Sequence, residues 1–360
     1  MSTVFFVFRD APERRAALGM PGSLDRYRLF GMDELAGRGV VVRHNLERPE
    51  VPRWARAAGT ASNAVLDATG RLGGDFGSVL ASLRAANSAD VVFATVDTVG
   101  IPVLWLKRLG LIRPPVVYAA IGLPQRLARL RSRSRFVHAV RAARTLITYA
   151  AREADELRQW VGAAGPSIAF VPFGVDVDAF RPVDEQPRVD VVSIGADPMR
   201  DFPLLVEVAR RRPEWSFLIV GTAERIRTLG PLPVNVATEA DLPLEAVRAR
   251  LAVARVVALP VRDNSYSGAT TTLLQAMAMA KPVVASRTEA IVDGYGLVDG
   301  ENCRLVQPGD VDAFERALAE TTTGAGAAIA LGTRARETVV GGFSWERYVE
   351  ALWAVLFPAT

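Results

Sequence analysis

Short apolar runs alternate along the chain with amphipathic stretches, the pattern of parallel strands joined by crossover helices. In the first half the runs are VFFVF (4–8), VVV (40–42), VVFAT (91–95), VVYAA (116–120) and TLITY (145–149), with a weaker one, SIAFVPF, at 167–173. Helical stretches such as DRYRLFGMDELAGRG (25–39) and GSVLASLRAANSAD (77–90) lie between them. A polar, proline-containing joint follows at about 174–188, and the pattern then restarts. The second series is VDVVSIG (189–195), a helix over 202–211, SFLIVG (216–221), RVVALPV (255–261), PVVAS (282–286) and RLVQP (304–308). The restart predicts two doubly wound α/β domains, 1–173 and 174–342. A last stretch, FSWERYVEALWAVLF (343–357), sets Trp345, Tyr348, Leu352 and Val355 near helical spacing, an amphipathic face suited to packing.

The segment YSGATTTLLQAMAMAKPVVAS (266–286) reads as a helix capped by Ser267 between two strands, ending before Pro282. In open α/β sheets ligands sit beyond the carboxyl ends of the strands. A helix start offers unpaired N–H groups and about half a positive charge. Gly268 and Ala269 let a bulky anion approach the backbone, and Thr270 to Thr272 add hydroxyl donors, so a phosphate suits this position. Small residues there equally suit close helix packing, with Leu273, Leu274 and Met277 buried and Ala276 and Ala280 against the sheet. Both readings account for the composition.

Composition narrows the class. At 360 residues the chain is long for one core and suits two domains. The single cysteine, Cys303, excludes an intramolecular disulfide framework and fits a reducing cytoplasm. The opening MSTVFFVFRD lacks a basic n-region and has too short an apolar run for a signal peptide, and no stretch has the length of a spanning helix. Only Lys107 and Lys281 are lysines, and a net charge of +4 is too small to imply nucleic acid. His44 and His138 are the only histidines, little material for a zinc site or a Ser–His hydrolase. No G-x-x-x-x-G-K-[ST] loop or strand-linked G-x-G-x-x-G motif is present, which removes P-loop NTPase and dehydrogenase readings.

Three segments in order, VPFGVDVDAFRP (171–182), SGATTTLLQAMAMAKPVVASRTEAIVDGY (267–295) and DGENCRLVQPGDVDAFERALAE (299–320), together resemble a family 4 glycosyltransferase. The resemblance covers most of 140–360; the first half matches only in layout. It implies a GT-B fold, two Rossmann-like domains facing each other across a cleft, with the last helix returning to the first domain. It implies a nucleotide-diphosphate sugar on the second domain, an acceptor on the first, retention of anomeric configuration, and no metal to hold the diphosphate. SIGADPMRDFPLLVEVA is similar to the family's glycine turn and phosphate-binding lysine, which places Gly195 in the turn and Arg200 as the phosphate-binding, leaving-group-stabilising cation. Tyr266, Ser267, Gly268, Ala269, Thr270 and Gln275 complete the expected donor site. The chain departs from the pattern at Ser267 and Gln275, where the family carries glutamates, and at Ile121 and Gly122, where it carries a histidine. It departs again at Ala196 and Asp197, where a second basic residue is usual.

Further signals belong to the first domain and the joint. Gly22 and Ser23, in a loop after the first strand, either line the substrate cleft or simply lead into a helix. Asp97, just past a strand end, either binds the acceptor hydroxyl and accepts its proton or caps a helix. RLARLRSRSRFVHAVRAAR (126–144) carries seven arginines and no acid, and suits either a solvated face or peripheral contact with an anionic membrane surface. The DVD of 176–178 falls in the joint and is assigned no metal. These features point to a cytoplasmic, metal-independent glycosyltransferase, with a non-catalytic scaffold that binds a sugar nucleotide or a partner as the alternative.

Overall fold

The computed structural model describes residues 1–358 apart from 21, 49, 69–71, 129–132 and 267. Among them are two six-stranded sheets, each parallel at every strand pair. The first comprises β1 (Thr3–Val7), β2 (Val41–His44), β3 (Val91–Ala94), β4 (Val116–Ala119), β5 (Thr145–Thr148) and β6 (Ser167–Phe170), in the order β2-β1-β3-β4-β5-β6. The second comprises β7 (Val189–Ile194), β8 (Phe217–Gly221), β9 (Val236–Ala240), β10 (Ala254–Leu259), β11 (Val283–Ser286) and β12 (Arg304–Val306), in the order β12-β11-β10-β7-β8-β9. By contacts the chain divides into Met1–Val171 with Val349–Thr360, and Pro172–Tyr348.

Burial explains which strands the apolar runs revealed. β3, β4 and β5 are buried at every position, as interior parallel strands covered on both faces must be, so they read as unbroken apolar runs. β9 is an edge strand, VATEA, with no position fully buried, and its polar residues give no such run. It is the one strand the pattern did not reveal. Each core follows from the same logic. In the first unit Phe5, Val92 and Tyr118 pack with Val99, Val103 and Leu104 of the helix Asp97–Arg108. In the second, Val191, Ile219 and Val256 pack with Phe202 and Leu205 of the helix Phe202–Arg211 and with Phe314 and Leu318 of the helix Val311–Thr323. Each such side chain contributes about 1.5–3 kcal/mol when fully buried.

The strand orders locate the ligand positions. Counted from its own first strand, the second sheet runs 3-2-1-4-5-6 in the doubly wound Rossmann sense, so its crossovers diverge between β7 and β10. The first sheet diverges between β1 and β3. Crevices at the carboxyl ends of those strand pairs are where such sheets take ligands.

Three sequence expectations change. The helix expected to start at Ser267 is Thr270–Ala278, with Ala269 as N-cap and no side-chain cap among the described residues; Ser267 itself lies outside them. The single helix expected over 25–39 is a 3-10 turn, Leu24–Leu29, and a helix, Met32–Gly37, split where Phe30 and Gly31 take positive φ. Gly22 and Ser23 do not leave β1 directly, because a short helix, Pro12–Leu18, intervenes with proline in its first turn.

The last helix, Trp345–Leu356, begins among second-unit residues, and from Val349 onward it belongs to the first unit. There Arg144 Nη2 donates to the carbonyls of Val355 at 2.8 Å and Leu356 at 3.0 Å, a cation at a helix C-terminus. In the joint, Asp176 Oδ1 accepts from the backbone N–H groups of Asp178 at 3.1 Å and Ala179 at 3.0 Å, so this carboxylate shapes the turn of the DVD segment.

Candidate donor-phosphate site

At the divergence of β7 and β10 two loops meet. One leaves β7 as Gly195-Ala196-Asp197-Pro198-Met199-Arg200; the other leaves β10 and runs through Val261 to the helix Thr270–Ala278. Backbone bonds stitch them together. Arg200 and Val261 form an antiparallel bridge, Asp201 N donates to Pro260 O at 2.9 Å, and Arg262 N donates to Met199 O at 2.8 Å. Arg225, just after β8, holds the same loop by donating to Pro198 O at 3.0 Å and Arg200 O at 2.6 Å, with its guanidinium over the Phe202 ring. Sequence reading did not pick out Arg225; its spacing carries no motif, and only the fold brings it to this loop.

Arg200 is 1% exposed, and its side chain lies across Gly195, where a Cβ would overlap Nε and stand 2.9 Å from Cζ. Glycine is required at 195 for that close approach. Burial pushes the guanidinium down to about 10, opposed by the Asp197 carboxylate and reinforced by Arg225. It is therefore charged at neutral pH. Its Nε and Nη1 have no hydrogen-bond partner among the described residues. A desolvated cation with unsatisfied donors is costly by itself and is suited to an anion.

The other wall is the start of the helix Thr270–Ala278. The Gly268 N–H donates to Tyr266 O at 2.9 Å, so the amides that open the helix belong to Thr270, Thr271 and Thr272 rather than to Gly268. Thr270 is buried, and its hydroxyl has no partner among the described residues. Ala269 is buried, and Gln275 is buried in the same helix, one turn further on. Between Arg200 and this wall stands Asp197. Its Oδ1 accepts from Met199 N at 2.8 Å and its Oδ2 accepts from the Tyr266 hydroxyl at 2.7 Å, while a Cβ on Gly268 would meet its Cγ at 2.5 Å. Burial and this carboxylate raise the Tyr266 phenol well above its ordinary value. The structure thus brings Gly195, Arg200, Tyr266, Gly268, Ala269 and Thr270 to one end of one sheet, and adds a carboxylate that the motif did not suggest.

Of the first-unit candidates, Asp97 lies just past β3, and Gly22 and Ser23 lie between the helix Pro12–Leu18 and the 3-10 turn Leu24–Leu29. Asp97 is buried in the first turn of its helix; the Tyr118 hydroxyl donates to Oδ1 and Arg126 Nη1 donates to Oδ2 at 2.8 Å. Burial raises this carboxyl, against those partners and the Ile121 N–H. Glu153, fully buried, accepts from Gly122 N at 2.6 Å, and burial, together with the Asp97 charge, holds it well above the ordinary carboxyl range. The two acids fix the Ile121–Gly122 turn, where Gly122 takes φ +72°. Sequence reading missed Glu153, since an acid inside an amphipathic helix looks solvated. Gly22 is exposed, and Ser23 precedes the 3-10 turn with its hydroxyl buried and unpartnered among the described residues. In the arginine-rich stretch, 129–132 lie outside the described residues. Arg126 and Arg144 are bonded as given above, and Arg141 Nη2 donates to Val161 O at 3.3 Å. No described helix is long and apolar enough to cross a membrane.

Two parallel Rossmann-like sheets, one in each unit, give the chain the GT-B fold of the solved structures named below. Residues 189–323, all within the second unit, match the family model described as Glycosyl transferases group 1. Over 216 residues the chain is 30% identical to an MMP alpha-(1->4)-mannosyltransferase of Mycolicibacterium hassiacum, covering 56% of this chain and 51% of that protein. Over 161 residues it is 27% identical to the lipopolysaccharide core biosynthesis glycosyltransferase LpsE of Rhizobium meliloti, covering 44% and 46%. The chain thus spans about half the length of these relatives. Sucrose-phosphate synthase from Thermosynechococcus elongatus superposes with a TM-score of 0.75 at 18% identity over 100% of both chains. Anabaena HepE in complex with UDP-glucose superposes with a TM-score of 0.71 at 15% identity over 99% of each.

Proposed function

We propose that this protein is a glycosyltransferase that moves a sugar, with retention of configuration, from a nucleotide-diphosphate donor on the second unit to an acceptor on the first. No metal need bridge the diphosphate in this reading. The observation that carries it is Arg200: a buried, charged guanidinium with two unpartnered donors at a Rossmann switch point, beside the opening turn of a helix. When the bond from sugar to diphosphate breaks, negative charge grows on the leaving phosphate. Donors already fixed in place stabilise that charge without reorganising. Arg200 and the amides of Thr270 to Thr272 are so placed, and Gly195 permits the approach. Asp97 and Glu153 serve this reading by holding the Ile121–Gly122 turn at the acceptor-side sheet, with Asp97 as the acid to receive the proton of an acceptor hydroxyl.

The names of similar proteins suggest the first donors to try: one is a mannosyltransferase, and one structure of the same fold holds UDP-glucose. Incubation with mannosyl and glucosyl nucleotides, followed by mass spectrometry for released nucleoside diphosphate and transferred sugar, tests the proposal. The scaffold reading has one specific observation in its favour, the Asp197 carboxylate against Gly268. A thermal shift with a sugar nucleotide, without turnover across acceptors that include lipids, glycans and small polyols, decides for the scaffold.

A further inference from the structure

The anion cradle described above contains an anion of its own. The Asp197 carboxylate rests on Gly268, fixed at one oxygen by Met199 N and at the other by the Tyr266 hydroxyl. It is also the acidic partner whose charge acts on Arg200. A phosphate placed between Arg200 and the helix start must either sit beside this carboxylate or displace it. Either way, each further negative charge on the ligand is penalised. The two ligands of a transfer reaction differ in just that property. The diphosphate of a sugar nucleotide carries about two negative charges at neutral pH, whereas the freed nucleoside diphosphate carries about one more, because a terminal phosphate ionises near pH 6.

We infer that Asp197 is a specificity-determining residue that weakens the hold on the freed diphosphate more than on the intact donor, and so speeds product release. The inference rests on the donor site proposed above. It needs no new partner, only the charge difference between substrate and product. Arg200 attracts both ligands; Asp197 discriminates between them. Tyr266 has a supporting part, since its hydroxyl fixes the carboxylate at Gly268.

The test is calorimetric titration of the full chain with UDP and UDP-glucose, and with GDP and GDP-mannose, for the wild type, Asp197→Asn and Tyr266→Phe. Asp197→Asn keeps an oxygen for Met199 N while removing the charge. It is expected to tighten the nucleoside diphosphate about tenfold, equivalent to about 1.4 kcal/mol, and the sugar nucleotide about threefold or less. Product inhibition of turnover should deepen in parallel. Tyr266→Phe should shift the ratio of the two affinities in the same direction by a smaller factor, and it serves where the asparagine variant does not fold. If the wild type binds donor but Asp197→Asn leaves the diphosphate unchanged or weaker, the inference is overturned while the donor site stands. Equal tightening of donor and product overturns it too, as does loss of the sugar nucleotide alone, which would make Asp197 a sugar-binding group. If no sugar nucleotide or nucleoside diphosphate binds any of the three proteins, the donor site fails and the inference falls with it.

Discussion

Replacing Arg200 with methionine separates what this residue costs the fold from what it gives the ligand. Burial lowers its pKa to about 10, which corresponds to about 3 kcal/mol of unfavourable folding free energy at neutral pH. The sign follows from linkage. The unfolded chain holds this proton more tightly than the folded one, so the cost is fully present below about pH 10 and is relieved as pH rises above it. Methionine has a similar reach and no charge, and the Arg200 backbone bonds to Val261 and Arg225 remain. Arg200→Met is therefore expected to gain about 1–3 kcal/mol in urea unfolding at pH 7, since a buried charge replaced by a packed apolar group is often stabilising. The same change removes two charged donors worth about 1.5–3 kcal/mol each to a phosphate. Nucleoside diphosphate affinity should fall by a hundredfold or more, roughly two decades at the low end of that range, while nucleoside affinity holds. Calorimetry with UDP and uridine, run beside the urea titration, measures both halves. A variant less stable than wild type by more than about 1 kcal/mol, or one that loses uridine and UDP equally, would refute the assignment of Arg200 as a strained phosphate ligand.

Two more perturbations probe the same structure. Gly195→Ala puts a Cβ where Arg200 Nε lies, so the guanidinium must leave; diphosphate affinity should drop about as far as in Arg200→Met, on a chain whose circular dichroism is unchanged. For Glu153, the folded pKa is raised above the unfolded value, so stability from this group is present below about pH 4.5 and is lost as pH rises through the folded pKa. Glu153→Gln should abolish that loss, giving a flatter unfolding free energy above about pH 4.5, whereas Glu153→Ala should cost about 2–4 kcal/mol at low pH, where the wild type keeps the full contribution, by leaving the Gly122 N–H unpaired and a cavity behind. A glutamine variant with the wild-type pH profile contradicts a carboxyl raised by burial at 153.

Legibility in the sequence tracked burial. Strands covered on both faces announced themselves as VVFA or VVYA runs, while the edge strand VATEA, with half its residues towards solvent, did not. The motif around Gly195 and Arg200 could be placed at the carboxyl end of β7 from sequence because the spacing from strand to helix is short and fixes the loop. Helix starts were less visible: Ser267 is the usual capping type, yet the helix opens at Thr270 after Ala269. What the sequence withheld was the partnership of residues distant along the chain. Arg225 reaching back to Pro198, Glu153 bonding Gly122, and Asp197 meeting Tyr266 depend on where loops end after folding, and no local pattern encodes them.

The bridge from Arg200 to Val261 has a consequence for how the second unit is built. The bridge joins the loop after β7 to the loop after β10, so the proposed donor site is assembled only when the two halves that flank the switch point dock. Such distant pairing pays its loop-closure entropy before any reward, so the crevice should mature late in folding. A ligand that grips both exits then acts as a rivet, favouring the docked halves by a free energy that grows with ligand concentration over its dissociation constant. Resistance of this unit to proteolysis would accordingly report on occupancy by any ligand that bridges the two loops.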